Sequence, residues 1–155
     1  MSTLSEPRFV DSPALHLVGM DRQYTFETRT EIPQLWHEFG PRFGSIPGQK
    51  GFIAYGVCHH FDDKGFNYMA AAEAEEGVGA PEGMTTMDLP AQRYAAFKHL
   101  GDLSNLGDSY MALWDKWVPE SGQEIVQPAL VFERYSEDFD PDSGKGDIEL
   151  WIAVK

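Results

Sequence analysis

The order of extended and helical segments repeats once along this 155-residue chain, and that repetition limits its fold more than any other feature. Phe9–Phe26 reads as a strand with apolar groups on both faces. Thr28 to Pro33 offers a helix start, with Thr30 as N-cap and Pro33 tolerated in the first turn. Ile32, Leu35, Trp36, Phe39 and Phe43 follow at helical spacing, and Gly40-Pro41 should end that helix. Two extended runs, Gly51–Phe61 and Phe66–Glu73, flank Asp62-Asp63-Lys64-Gly65, which is a hairpin signal. Glu75 to Gly83 reads as a loop and Met84–Leu89 as a further strand.

After Pro90 the pattern starts again. Arg93–His99 is a strand. A helix follows in which Leu106, Tyr110, Leu113, Trp114 and Trp117 form one stripe, closed by Pro119 and Gly122. Ala129–Tyr135 and Asp147–Val154 are strands on either side of an acidic Pro/Gly loop. The helices share an echo, Leu35-Trp36-His37-Glu38-Phe39 against Leu113-Trp114-Asp115-Lys116-Trp117. The expected fold is therefore α+β: one domain over 1–155 built from tandem β-α-β-β modules at about 8–75 and 88–155. Pseudo-two-fold symmetry would give a largely antiparallel sheet, two main helices and a central ligand cleft.

Composition narrows the function. With 25 acidic and 12 basic residues the net charge is −13, so the basic patch of a nucleic-acid binder is missing and cationic partners are favoured. Cys58 is the single cysteine, which rules out an internal disulfide and points to a reducing compartment. Met1 to Val10 has no apolar signal-peptide core, and nowhere do about 18 apolar residues run together. The expectation is a cytoplasmic protein with no membrane and no direct nucleic-acid contact.

Strand alternation sorts side chains onto faces. In the last strand Ile148, Leu150, Ile152 and Val154 form an aliphatic face, opposite Glu149, Trp151 and Ala153. In Ala129–Tyr135, Glu133 lies between Val131 and Tyr135 on one face, an unusual setting for a solvated carboxylate. Aligning the repeats through their helices sets Tyr55 at the Glu133 position and Tyr68 near the Glu149 position. The expected wall then comprises Ile53, Tyr55, Val57 and Tyr68 with Val131, Glu133, Tyr135, Glu149 and Trp151. Two helices cover only one face, so this wall needs a ligand, a partner (a second copy in a homodimer or another protein) or the other half of the molecule. Aromatic rings attract cations by about 0.5–2 kcal/mol per contact, and a carboxylate among them regains stability when a cation arrives. The competing reading pairs Glu133 with Arg134 or Arg93 and leaves the aromatics as ordinary core.

The phrases Leu130-Val-Phe-Glu-Arg-Tyr135 and Asp147-Ile-Glu-Leu-Trp-Ile-Ala-Val154, with the stretch Leu89-Pro-Ala-Gln-Arg-Tyr-Ala-Ala-Phe-Lys-His-Leu-Gly101, resemble the GyrI-like effector-binding family. This is the ligand-binding domain of many AraC- and MerR-type multidrug regulators. The resemblance covers about Pro7 to Lys155. It implies two β-α-β-β modules around a cleft, with a buried glutamate at Glu133 that meets cationic drugs and pocket aromatics at Trp36, Tyr110 and Trp151. No helix-turn-helix region precedes the domain, which suggests a stand-alone member. Stand-alone relatives include ligand sequestrators, a gyrase-inhibiting type and hydrolases of cyclopropane-bearing toxins.

Other constellations carry less. Asp138 to Glu149 has acidic residues at EF-hand positions 1, 3, 5 and 12, but Ser143 replaces the glycine at position 6, so a hairpin loop is expected. Cys58-His59-His60 lacks a third ligand at recognised spacing, and alternation separates Cys58 from His59. No P-loop, GxGxxG or GxSxG is present, so neither metal nor cofactor is expected. Glu133 and Glu149 on one wall could act as an acid/base pair in hydrolysis, with Tyr55 or Tyr68 donating a hydrogen bond. The favoured function is non-catalytic capture of a lipophilic, cationic aromatic molecule by Glu133, Trp36, Tyr55, Tyr68, Tyr110, Glu149 and Trp151.

Overall fold

The structure is a computed structural model that describes residues 3–140 and 143–155. Its elements are β1 (Arg8–Ser12), β2 (Leu15–Thr25), α1 (Ile32–Phe39), β3 (Gln49–His59), β4 (Gly65–Ala74), β5 (Thr85–Leu89), β6 (Gln92–Lys98), α2 (Leu106–Met111), α3 (Val118–Ser121), β7 (Val131–Tyr135) and β8 (Ile148–Val154). A π-helical stretch, Ala112–Trp117, joins α2 to α3 in one continuous helical run.

All eight strands form one antiparallel sheet in the order β1-β6-β8-β7-β3-β4-β2-β5. Exchanging β1 with β5, β2 with β6, β3 with β7 and β4 with β8 leaves this order unchanged. The fold is therefore α+β with a pseudo-two-fold relation between halves, centred where β3 meets β7. The long first strand expected over 9–26 is two strands, because Pro13 lacks a backbone N–H and interrupts the ladder. β1 then crosses to pair with β6 of the other half, while β5, ending before Pro90, pairs with β2. Each half thus lends an edge strand to the other.

The helices lie on one face of the sheet. Under α1, Leu35 and Phe39 pack on Val18, Tyr24, Cys58, Tyr68, Ala70 and Ala72. Alanines on β4 leave room for α1 to sit low. Leu113 packs on Ala95, Phe97, Val131, Ile152 and Val154. The hydrophobic stripe expected of the second helix is therefore present, and Gly122 stops it in the left-handed conformation with φ 72°. The first helix begins at Ile32 with Pro33 in its first turn, but no side chain caps it, and Thr30 lies in a preceding 3-10 turn.

The opposite face carries Leu17, Tyr55, Val57, Met69, Leu89, Tyr94, Phe132 and Trp151, all buried although no helix covers them. The sheet curls, so this face closes on itself, with Val126 and Leu130 packed against it. Of the expected covers, the other half of the molecule is the one present: residues of both halves, such as Leu17 and Met69 with Tyr94 and Trp151, pack together on this curled face.

Candidate functional site

Glu133 is 5% exposed and faces the helices between β7 neighbours Val131 and Tyr135, which share its face by alternation. Four elements bring aromatic side chains to it. The Tyr68 hydroxyl on β4 donates to Oε1 at 2.8 Å, and the Tyr110 hydroxyl on α2 donates to Oε2 at 2.5 Å. Tyr135 also donates to Oε1. Trp36 on α1 donates its indole N–H to the Tyr68 oxygen at 3.0 Å and meets the Tyr135 ring edge-on at 5.6 Å. Cys58 Sγ lies 3.6 Å from the Tyr110 hydroxyl. Among the described residues Glu133 makes no ion pair, so the pairing with Arg134 or Arg93 is not formed. Arg134 instead lies over the Trp151 ring on the far side of the sheet, and Arg93 lies over the Phe9 ring on an outer strand pair.

Gly56 makes this network possible. In the sheet β3 runs between β7 and β4, so Tyr68 must pass over β3 to reach Glu133. It does so at Gly56, which stands opposite Glu133 in the register. A Cβ there would collide with the Tyr68 ring end and hydroxyl and crowd Glu133 Oε1. A glycine inside a central strand is the sequence signal for such a close approach.

Burial pushes the Glu133 carboxyl above its ordinary range, while the bonds from Tyr110, Tyr135 and Tyr68 and the neighbouring His99 pull it back. Burial, together with the adjacent carboxylate, holds all three tyrosines well above their ordinary range, so they remain donors. Burial also pushes the Cys58 thiol up, which disfavours the reactive thiolate. The result is a hydrogen-bonded carboxylate in an aromatic shell, with no ion-pair partner among the described residues. Its immediate surroundings are filled by Trp36, Tyr68, Tyr110 and Tyr135 themselves. An open depression of roughly 520 Å³ lies elsewhere, lined by Gln23, His60, Phe61, Asn67 and Gln127 among others.

The structure therefore brings together Glu133, Trp36, Tyr68 and Tyr110 of the expected residues, and adds Tyr135 as a direct partner. It does not bring in Tyr55, Glu149 or Trp151. Glu133 stands opposite Gly56 and Leu150, whereas Tyr55 stands opposite Arg134 and Trp151 opposite Phe132. All three lie on the other face, where Glu149 bonds Arg8 and the Trp151 indole. Glu149 and Trp151 fall away because Glu133 shares the aliphatic face of β8, Ile148, Leu150 and Ile152, and for Tyr55 the cause is a slip of one residue between the repeats. Leu35 and Leu113 of the helices are 78 apart, but the strand breakers Pro13 and Pro90 are 77 apart, as are Gly56 and Glu133. Moving one residue along a strand turns every side chain to the opposite face. The sheet also separates Glu133 from Glu149, so the expected acid/base pair is not assembled.

Asp138 to Glu149 turns back on itself through Asp140 N–H to Lys145 O and Gly144 N–H to Asp140 O; positions 141 and 142 of the expected calcium loop lie outside the described residues. No helix among the described residues is long and apolar enough to cross a membrane.

A family model for the GyrI-like small molecule binding domain matches residues 5–155. The transcriptional regulator BrlR of Pseudomonas aeruginosa is 34% identical over 152 residues, covering 95% of this chain and 54% of BrlR. The chain thus spans about half the length of that curated relative. Among solved structures, SAV2435 bound to tetraphenylphosphonium superposes with a TM-score of 0.74 at 20% identity, over 97% of this chain and 94% of the other. EcmrR in a DNA complex superposes at 0.70 with 15% identity, over all of this chain and 59% of EcmrR.

Proposed function

We propose, from the premise that this chain belongs to the GyrI-like small-molecule binding domain family, that it captures lipophilic aromatic cations at Glu133. One observation carries the reading: a carboxylate buried on the helix-covered face holds three tyrosine hydroxyls and, among the described residues, no ion-pair partner. Burying an ion without a counter-charge is costly, and an arriving cation offsets that cost in a medium where attraction is strong. The rings of Trp36, Tyr68, Tyr110 and Tyr135 add quadrupole attraction to the charge.

Because those rings fill the space beside Glu133, entry requires them to part. Trp36 and Tyr110 are only half-buried and sit on different helices, so separating α1 from α2 opens the carboxylate without disturbing the sheet. A π-helical stretch follows α2, a feature that recurs at functional sites. The role that suits this geometry is ligand capture.

The test is calorimetric titration of the full chain with tetraphenylphosphonium, the ligand in the SAV2435 structure. Wild type is expected to bind, and Glu133→Gln to lose roughly ten-fold or more in affinity, each factor of ten being about 1.4 kcal/mol. Neutral triphenylphosphine oxide should bind weakly to both proteins. Equal phosphonium affinity in Glu133→Gln, with the fold retained by circular dichroism, would remove charge from the mechanism.

A further inference from the structure

A second polar cluster lies on the other face of the sheet, beside the open depression. By alternation His59 shares the face of Val57, whereas Cys58 points to the helices. His59 is 6% exposed, and its Nε2 faces the Asp21 carboxylate at 3.1–3.2 Å. Its Nδ1 faces Nδ1 of His60 at 2.5 Å. His60 is exposed and adopts a left-handed backbone (φ 53°), which turns its ring back against its neighbour, with ring centroids 4.7 Å apart.

The hydrogen-bond logic fixes the roles. A carboxylate accepts only, so His59 carries a proton on Nε2, and the neutral ring then presents a lone pair at Nδ1. That lone pair meets a second Nδ1. Two such nitrogens stay together only with a proton or a metal ion between them. A carboxylate behind an imidazole is also the usual way a metal-ligating histidine is oriented and made more basic.

We propose that His59 and His60 form a two-imidazole site for a divalent transition metal, with Asp21 as the orienting carboxylate. Bonds of about 2.0–2.1 Å at ordinary angles put the two nitrogens roughly 2.9–3.4 Å apart. The exposed His60 can retreat by that amount, under about 1 Å. Among the described residues no three His, Cys, Asp or Glu side chains form a metal-holding group, so the protein supplies two nitrogens. His60 lines the depression together with Gln23, Asn67 and Gln127, whose carboxamide oxygens, with water, can complete the shell. Borderline cations such as Zn²⁺ and Cu²⁺ suit this donor set. The chain's net charge of −13 raises their local concentration. The site is independent of Glu133 and survives if the phosphonium reading fails.

Zn²⁺ calorimetry on the full chain, free of any histidine tag, tests it. One-to-one binding is expected, reduced at least ten-fold in His60→Ala and roughly ten-fold in Asp21→Asn. His37→Ala should bind as wild type does. The Cu²⁺ electron paramagnetic resonance spectrum should show coupling to two nitrogens. His60 is exposed, so its substitution leaves the fold intact and a null result stays informative. No saturable uptake by wild type, or uptake unchanged in His60→Ala, overturns the proposal. A ring proton resonance between His59 and His60 that persists unaltered in excess Zn²⁺ overturns it too, by assigning the contact to a shared proton.

Discussion

The two faces of the sheet each hold a glutamate among aromatic rings, one strand apart, yet the surroundings treat the two charges differently. Glu149 has its own cation: Arg8 bonds it at 3.0 Å, the Trp151 indole donates at 2.8 Å, and its side chain keeps 15% exposure. Glu133 has only hydroxyls. Burial would raise Glu149, but the bonds from Arg8 and Trp151 and the charges of Arg8 and Arg134 bring it below its ordinary range. Burial wins at Glu133, which is raised. A carboxylate among rings is therefore no sign of a cation site by itself. What distinguishes the candidate is a charge satisfied by donors but left without a counter-ion.

The largest expected effect separates the faces by stability. Phe132 is fully buried and meets Tyr55, Tyr94 and Trp151 at 5.2–5.5 Å. Phe132→Ala should cost about 3–5 kcal/mol in urea unfolding. The folded fraction should keep wild-type phosphonium affinity, because this face is core. An affinity loss matching that of Glu133→Gln would mean the two faces act as one site. Next comes Gly56→Ala, where the added methyl meets Tyr68 and should cost about 1–3 kcal/mol. If the penalty arises through Tyr68, Gly56→Ala adds little in a Tyr68→Ala background, and the strong non-additivity measures the contact. Additive costs would place the clash elsewhere.

The element order was readable because apolar periodicity and turn residues mark it locally: the Asp62-to-Gly65 hairpin, the Leu106-to-Trp117 stripe and the Gly122 stop all stand where they were expected. The crossing of β1 and β5 between halves was not readable, since pairing between distant strands leaves no local trace. Glu133 stood out as a charge between Val131 and Tyr135, and its burial follows from that setting. Its partners were harder. Trp36, Tyr68 and Tyr110 were named; Tyr55 came from a register set by the helices, and Glu149 and Trp151 from taking the face of the last strand opposite Ile148 and Leu150 as the one that Glu133 shares. Strand register tolerates no error of one residue. Pro13-Ala14 against Pro90-Ala91 would have set it correctly, and Gly56 would then have fallen opposite Glu133.

Smaller effects come from pH, and here the two glutamates should show opposite signs. Glu133 titrates higher in the folded chain than in the unfolded one, so between those values the folded state holds the extra proton. Stability therefore falls as pH rises through that window, and Glu133→Gln should flatten the fall in urea melts followed upward from the ordinary carboxylate range. Glu149 titrates lower when folded, so its contribution is present above the unfolded value and is lost as pH drops through the folded one. Glu149→Gln should remove that acid-side loss. Two slopes of the same sign would dissolve the contrast between the faces.

The smallest effect sharpens the contrast most. Arg8 is 49% exposed, so its bond to Glu149 is screened and belongs with surface pairs worth about 0.2–1 kcal/mol. Arg8→Met should cost that little in urea unfolding, and less in high salt. Glu149 keeps the Trp151 donor and the nearby Arg134 charge when Arg8 is gone. A loss of about 3–5 kcal/mol, the scale for stranding a buried charge, would mean that Glu149 without Arg8 is as isolated as Glu133. Phosphonium should then gain a second binding site on Arg8→Met, detectable as a changed stoichiometry in the same titration. With a small loss and unchanged stoichiometry, the missing counter-ion at Glu133 remains the property that sets the helix-covered face apart.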